Sequence, residues 1–159
     1  MRVVRHLTAI VLLPGMVTVL VPALLLSGGG IEWGVLALFG VVSLAAGVSL
    51  IVWTVALFAG AGRGTLAPWD PTSRLVVRGP YRHVRNPMIS GVLAVLLGEA
   101  ALFGSLALLA WFAAVFALNA ADFPLVEEPD LRLRFGAAYE TYREHVPRWL
   151  PRLRPWEPH

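Results

Sequence analysis

Three long runs of this chain carry almost no charge, and that pattern restricts the fold more than any other feature. Leu7–Leu26, Trp33–Gly62 and Pro87–Ala121 contain one ionisable acid or base between them, Glu99. The first run is twenty residues long, enough as a helix to cross the roughly 30 Å of bilayer hydrocarbon. It exceeds the ~7–15 apolar residues of a secretory leader, and no clean Ala-x-Ala site follows, so it reads as a retained span. Only 14% of residues are charged and 57% are hydrophobic, where a soluble domain carries about a quarter charged residues. The mean hydropathy is +0.70. The chain reads as an integral membrane protein.

The third run is too long for one helix. Phe103-Gly104-Ser105 divides it into a tight hairpin and sets Glu99 near the interface away from the arginines, a buried acid being the sharper but less favoured reading. The expected spans are then about 7–26, 33–60, 87–103 and 105–123. The second contains Gly34, Gly40, Ser43, Gly47 and Ser49, small residues that let membrane helices approach closely. All thirteen basic residues are Arg, and each falls in the N-terminus, between 63 and 86, or after residue 130. Four spans with both termini cytosolic satisfy the positive-inside rule without exception. An Arg-only basic set reads as genomic bias and suits a bacterial inner membrane.

The polar segments then remain. Arg63–Asn86 is rich in Gly and Pro and reads as an irregular cytosolic connector. Within it, Leu75-Val76-Val77 is a short apolar piece expected to touch the membrane surface. Beyond the last span, Glu127-Glu128-Pro129-Asp130 has the acids and proline of a helix start. Leu131, Phe135, Ala138, Tyr139, Tyr142 and Val146 recur every three or four residues, predicting one amphipathic helix lying on the cytosolic face. The proline-rich tail with Trp149 and Trp156 suits the interface. The fold class is therefore all-α and membrane-integral, with about four transmembrane helices, the last two a tight hairpin, plus a C-terminal amphipathic helix.

Chemistry is restricted by what is missing. There is no cysteine, which excludes thiolate catalysis and Cys-metal sites. His6, His83, His145 and His159 show no metal-ligand spacing, and no Ser-His-Asp arrangement is legible. A net charge of +3 and a pI near 10.2 suit a face meeting anionic lipid better than a nucleic-acid binder. Singly, Arg74, Arg78, Arg82 and Arg85 read as a positive-inside cluster, and Glu127 and Glu128 as helix-start acids. Together they place a basic loop and an acid pair at one membrane edge, a combination suited to a zwitterionic, nucleotide-like cofactor.

Gly79-Pro80-Tyr81-Arg82-His83-Val84-Arg85-Asn86-Pro87 resembles the motif of the isoprenylcysteine carboxyl methyltransferase-like family, which is related to the phospholipid N-methyltransferases. Gly64-Thr65-Leu66-Ala67-Pro68-Trp69-Asp70-Pro71 is similar to the lead-in of its bacterial members. Glu127-Glu128-Pro129, Leu131, Phe135-Gly136, Tyr139, Tyr142 and Val146-Pro147-Arg148 resemble its C-terminal signature. The resemblance covers about residues 60–150. It implies an S-adenosyl-L-methionine-dependent methyltransferase with the cofactor at the cytosolic face and a lipophilic or isoprenoid-like acceptor arriving from the bilayer. By position, Gly79, Tyr81, Arg82, His83, Asn86, Pro87, Glu127 and Glu128 would line the cofactor site, with Glu127, Glu128 and Arg85 at the reacting centre. Asn86 stands where eukaryotic members carry His, so hydrogen bonding to cofactor is implied there rather than proton transfer.

The residues agree with that implication. In-line methyl transfer needs alignment of nucleophile, methyl and sulfur more than strong acid–base help. Arg85 or Arg82 suits a carboxylate, a Glu suits an ammonium, and Tyr81 suits a sulfonium or adenine. Arg132 and Arg134 are options beside a carboxylate acceptor, and Glu128 is an option as base for an amine. Three other classes compete. A non-catalytic lipid-binding relative predicts no cofactor binding. A transporter predicts polar groups deep in several spans, whereas Glu99 is almost alone. A nicotinamide-dependent membrane reductase predicts a dinucleotide site that is not legible.

Overall fold

The computed structural model describes residues 11–26, 30–31, 33–61 and 75–157. Arg2, Arg5 and His6, most of the Ser27–Glu32 turn, and the 63–74 stretch with its Gly64–Pro71 lead-in lie outside the described residues. Among the described residues every regular element is helical.

A π-helical segment, Val11–Leu20, runs into the short α1 (Val21–Leu25). Pro22 has no N–H to return to the preceding turn, and the Val17 carbonyl five residues before it accepts instead from the Trp111 indole at 3.0 Å. That bond ties the first helix to the fourth. Next come α2 (Val35–Ala61), α3 (Pro87–Leu102) and α4 (Leu106–Asp122). Val35–Leu57 and Leu106–Phe135 are each long and apolar enough to cross a membrane. The shorter apolar helices Pro14–Leu25 and Pro87–Leu102 accompany them. Many of the described side chains of α2 are apolar and exposed, including Val41, Val42, Val48 and Val52, as expected of a helix solvated by lipid.

Helices α2 and α3 run antiparallel in backbone contact. A Cβ at Gly47 would stand 2.6 Å from the Gly91 carbonyl oxygen, and one at Gly40 would stand 2.8 Å from that of Gly98. Between these crossings the Ser43 hydroxyl donates to the Ala94 carbonyl at 2.7 Å. Gly40, Ser43 and Gly47 thus carry the expected close approach, whereas Gly34 faces open space and the Ser49 hydroxyl turns back to its own helix. The hairpin between α3 and α4 falls at Phe103–Ser105. Gly104 takes φ +57° there, and Ser105 caps α4 by accepting from the Leu108 N–H at 3.3 Å. Glu99 lies in the last turn of α3, partly buried, and its Oε2 lacks a hydrogen-bond partner among the described residues.

The C-terminal half departs from the sequence expectation. A π-helical turn, Phe123–Glu127, carries α4 on into α5 (Glu128–Phe135). Gly136, at φ +54°, then separates α5 from α6 (Ala137–His145). The expected single amphipathic helix is therefore broken, because Gly136 adopts a left-handed conformation that ends α5. Tyr139, Tyr142 and Val146 are buried as expected, but Ala138 is exposed. Their apolar stripe packs against Leu75, Val77 and Trp156 in a second small core. Leu75 and Val77, expected at the membrane surface, are consumed in that packing.

Candidate functional site

The loop before α3 is shaped by its glycine and prolines. Gly79 adopts φ +55° with Trp53 and Leu57 of α2 close to its α-carbon. Gly79–Arg82 then forms one 3-10 turn. Pro87 occupies the first turn of α3, and Asn86 caps it, its Oδ1 accepting from the Ile89 N–H at 3.4 Å. Asn86 and Pro87 are both buried. Their evident work is to start α3 at a fixed angle, with Arg85 one residue upstream.

The tail runs alongside this loop. The Arg85 N–H donates to the Pro147 carbonyl, the Arg152 N–H to that of His83, and the Trp156 N–H to that of Arg82, at 2.9, 3.0 and 2.9 Å. The side chains of Arg82 and His83 serve the same pairing. Arg82 Nε donates to the Trp156 carbonyl at 2.8 Å, and its Nη2 pairs with Glu157. His83 Nδ1 meets the Arg152 carbonyl at 2.7 Å. A carbonyl only accepts, so the imidazole proton sits on Nδ1. Arg82 and His83, expected to line the cofactor pocket, bind the tail in this structure.

Arg85 goes elsewhere. Its Nη1 donates to Glu128 Oε1 at 2.7 Å and reaches the Tyr139 hydroxyl at 3.5 Å. Arg148, on the tail, donates to the same Glu128 oxygen through Nε at 3.0 Å and Nη2 at 2.8 Å. Its guanidinium lies 5.6 Å from the centre of the Phe123 ring. Arg143 Nη1 stands 3.9 Å from Glu128 Oε2 and leans toward Glu140 as well. Glu128 is 4% exposed. Its carboxylate is thus surrounded by three guanidinium groups, and the surplus positive charge suits a further anion. Arg85 Nε is buried without a hydrogen-bond partner among the described residues, a donor left over in the same place.

Glu127 differs from its neighbour. It is exposed, at the end of the π-helical turn. Burial pushes the Tyr81 hydroxyl well above the ordinary tyrosine range, and nearby Tyr142 and Glu127 push it the same way. Tyr81 and Glu127 therefore share one surroundings. The Tyr142 hydroxyl donates to the Tyr81 carbonyl at 2.8 Å. Burial also raises Tyr139 and Tyr142, partly opposed by Arg85. All three phenols stay protonated at neutral pH.

The structure therefore joins Arg85, Glu128, Tyr81 and Glu127 at one end of the helices, with Asn86 and Pro87 as support. Arg132 pairs with Glu140 at 2.8 Å, and Arg134 with Asp130 at 3.1 Å. Neither pair includes Glu128. Sequence reasoning did not assign site roles to Arg143 and Arg148. Arg148 stands in the Val146-Pro147-Arg148 block of the C-terminal signature, but nothing local to it signals a partner on α5. Among the described residues no group of His, Asp and Glu could hold a metal ion.

Compared with known proteins, residues 35–138 match the family model for phospholipid methyltransferases. The match takes in Arg85, Tyr81, Glu127 and Glu128 and stops before Arg143 and Arg148. No curated protein and no solved structure matches the chain.

Proposed function

This chain belongs to the phospholipid methyltransferase family, and we propose on that premise that it transfers a methyl group from S-adenosyl-L-methionine to a lipophilic acceptor at a membrane edge. The acceptor site faces the cytosolic side of a bacterial cytoplasmic membrane, reached by four spans with both termini inside. The observation that carries this reading is the set of three arginines around buried Glu128, one each from the loop before α3, from α6 and from the tail.

The residues suit a zwitterionic sulfonium cofactor. Arg85, with its leftover Nε donor, and Arg143, the most exposed guanidinium of the cluster, would take the carboxylate. Glu127, near enough to act electrostatically on Tyr81, would take the ammonium or face the sulfonium. When bound, the cofactor supplies an electrophilic methyl group. The chain's contribution is alignment and exclusion of water.

Glu128 is fully engaged as counter-ion, so it is a positioning residue in this reading. The base for an amine acceptor is then Glu127. A carboxylate acceptor needs no proton removed and would be held by Arg143. Both carboxyl O-methylation and amine N-methylation remain within the reading.

The test is calorimetric titration of S-adenosyl-L-methionine into purified protein, followed by labelled-methyl transfer to a total lipid extract. Saturable binding, weakened at least tenfold in Arg85→Lys with helicity unchanged, supports the site. An alkali-labile labelled product identifies a methyl ester, and an alkali-stable one an N-methyl group. Well-folded protein that binds no cofactor with or without lipid would leave a lipid-binding relative without catalysis.

A further inference from the structure

An apolar recess adjoins the arginine cluster in sequence on both loop and tail. Val84 precedes Arg85 on the loop, Trp149 follows Arg148 on the tail, and both line a cavity of about 240 Å³. Leu50 and Trp53 of α2 complete its apolar walls, and the polar lining residues are His83 and Ser90. The Ser90 hydroxyl donates to the Asn86 carbonyl at 2.9 Å and His83 Nδ1 to that of Arg152 at 2.7 Å, which leaves His83 Nε2 as the one ring acceptor on offer. A polar ligand would lose its hydration here and regain little beyond that bond. A hydrocarbon would lose nothing.

The recess also has a direction of approach. Trp53, part of its wall, is 53% exposed on a helix apolar enough to cross a membrane. The wall of the recess is therefore continuous with the surface that lipid chains solvate. At ~30 Å³ for each water-sized unit, the recess has room for about eight methylene-sized groups, enough for the opening segment of one chain.

We propose that this recess seats the first carbons of a single hydrocarbon chain of the methyl acceptor, the remainder trailing along α2 into the bilayer. The acceptor is then a single-chain amphiphile whose head group reaches Arg143 or Glu127 at the arginine cluster. This rests on the methyl-transfer reading above, which deals with the cofactor and not with the chain.

The probe is a hexadecanoic acid carrying a photoactivatable diazirine near its head group, added to the protein in lipid nanodiscs, with cross-links located by peptide mass spectrometry. The expected result is labelling concentrated on Leu50, Trp53, Val84 and Trp149. Leu50→Trp, which fills the recess, should lower that labelling at least tenfold and lower methyl transfer to lipid extract in parallel, while cofactor binding by calorimetry stays within twofold. If Leu50→Trp does not fold, Val84→Phe makes the same test. Labelling spread evenly over α2 and α4 and indifferent to the substitution would overturn the proposal. So would labelling abolished by the substitution with methyl transfer unchanged, since the occupant would then be a resident lipid. Cofactor binding without labelling of the recess sinks this inference alone. Labelling without cofactor binding sinks the methyl-transfer reading instead.

Discussion

Arg85 and Arg148 donate to one and the same oxygen, Glu128 Oε1, at 2.7 and 2.8 Å. One arginine comes from the loop before α3 and the other from the tail, so a single carboxylate on α5 fixes both. Bringing two guanidinium groups to one oxygen is favourable only while the carboxylate is charged and buried between them.

Glu128→Ala should therefore destabilise the protein by about 3–5 kcal/mol, because it leaves buried Arg85 and partly buried Arg148 without their counter-ion. Thermal unfolding in detergent measures this. A shift no larger than that of a surface substitution would show the cluster to be inessential to the fold.

Glu127→Gln should behave in the opposite way. The side chain is exposed, so stability should change by no more than about 0.5 kcal/mol, while turnover on lipid extract falls at least tenfold. Comparing melting temperature with rate in the same preparation separates the two glutamates. Unchanged turnover would remove Glu127 from the reacting centre.

The α2–α3 contact predicts a pair of unlike glycines. At Gly47 a methyl group would meet the Gly91 carbonyl at 2.6 Å, so Gly47→Ala should cost about 1–3 kcal/mol through forced separation of the backbones. Gly34→Ala, with nothing within 4 Å, should be neutral. Equal stabilities for the two variants would contradict the backbone contact.

Trp111→Phe should loosen the first helix. It removes the donor to the Val17 carbonyl, a bond whose net worth is about 1 kcal/mol. Amide exchange in residues 14–25 should quicken, while exchange in α3 stays slow. No change in exchange would show that packing alone retains the helix.

The alkaline titration should be delayed. Tyr81, Tyr139 and Tyr142 are the only tyrosines, and burial raises all three above their ordinary value. Folded protein should thus develop less tyrosinate absorbance at pH ~10, the ordinary tyrosine pKa, than an unfolded chain does, with Tyr81 and Tyr142 holding their protons longest. An unfolded chain releases those protons at about 10, so the stability contributed by these phenols is intact below that pH. It should be lost as pH rises from there toward the folded values. Absorbance at pH ~10 in still-folded protein as large as that of an unfolded chain would contradict the burial.

Much of this architecture was legible because it depends on local chemistry. Pro87 suits the first turn of a helix, and Gly104 before Ser105 ends one helix and begins the next, whereas the capping of α3 by Asn86 was not read from the sequence. The close-packed glycines were visible as small residues in an apolar run, though only the partner helix decides that Gly47 is in contact and Gly34 is not. The break at Gly136 was missed because apolar residues keep helical spacing straight across it. The engagement of Arg82 and His83 was missed for a different reason. Their partners are the main-chain carbonyls of Trp156 and Arg152, and a carbonyl has no letter in the sequence. Glu127 and Glu128 were found as a pair, but only the π-helical turn reveals that one faces inward and the other outward.

The pairing of loop and tail has a consequence for how this protein can diverge. Its three main-chain bonds join Arg85 to Pro147, Arg152 to His83 and Trp156 to Arg82, and a main-chain bond is indifferent to the side chains beside it. Leu150 and Leu153, both largely exposed, can be exchanged for other residues without slackening it. One residue inserted between Pro147 and Arg152 would put the later bonds out of step with the first, and with them the alignment of the tail against the loop. Substitutions can accumulate in this segment over evolutionary time, whereas insertions and deletions cannot.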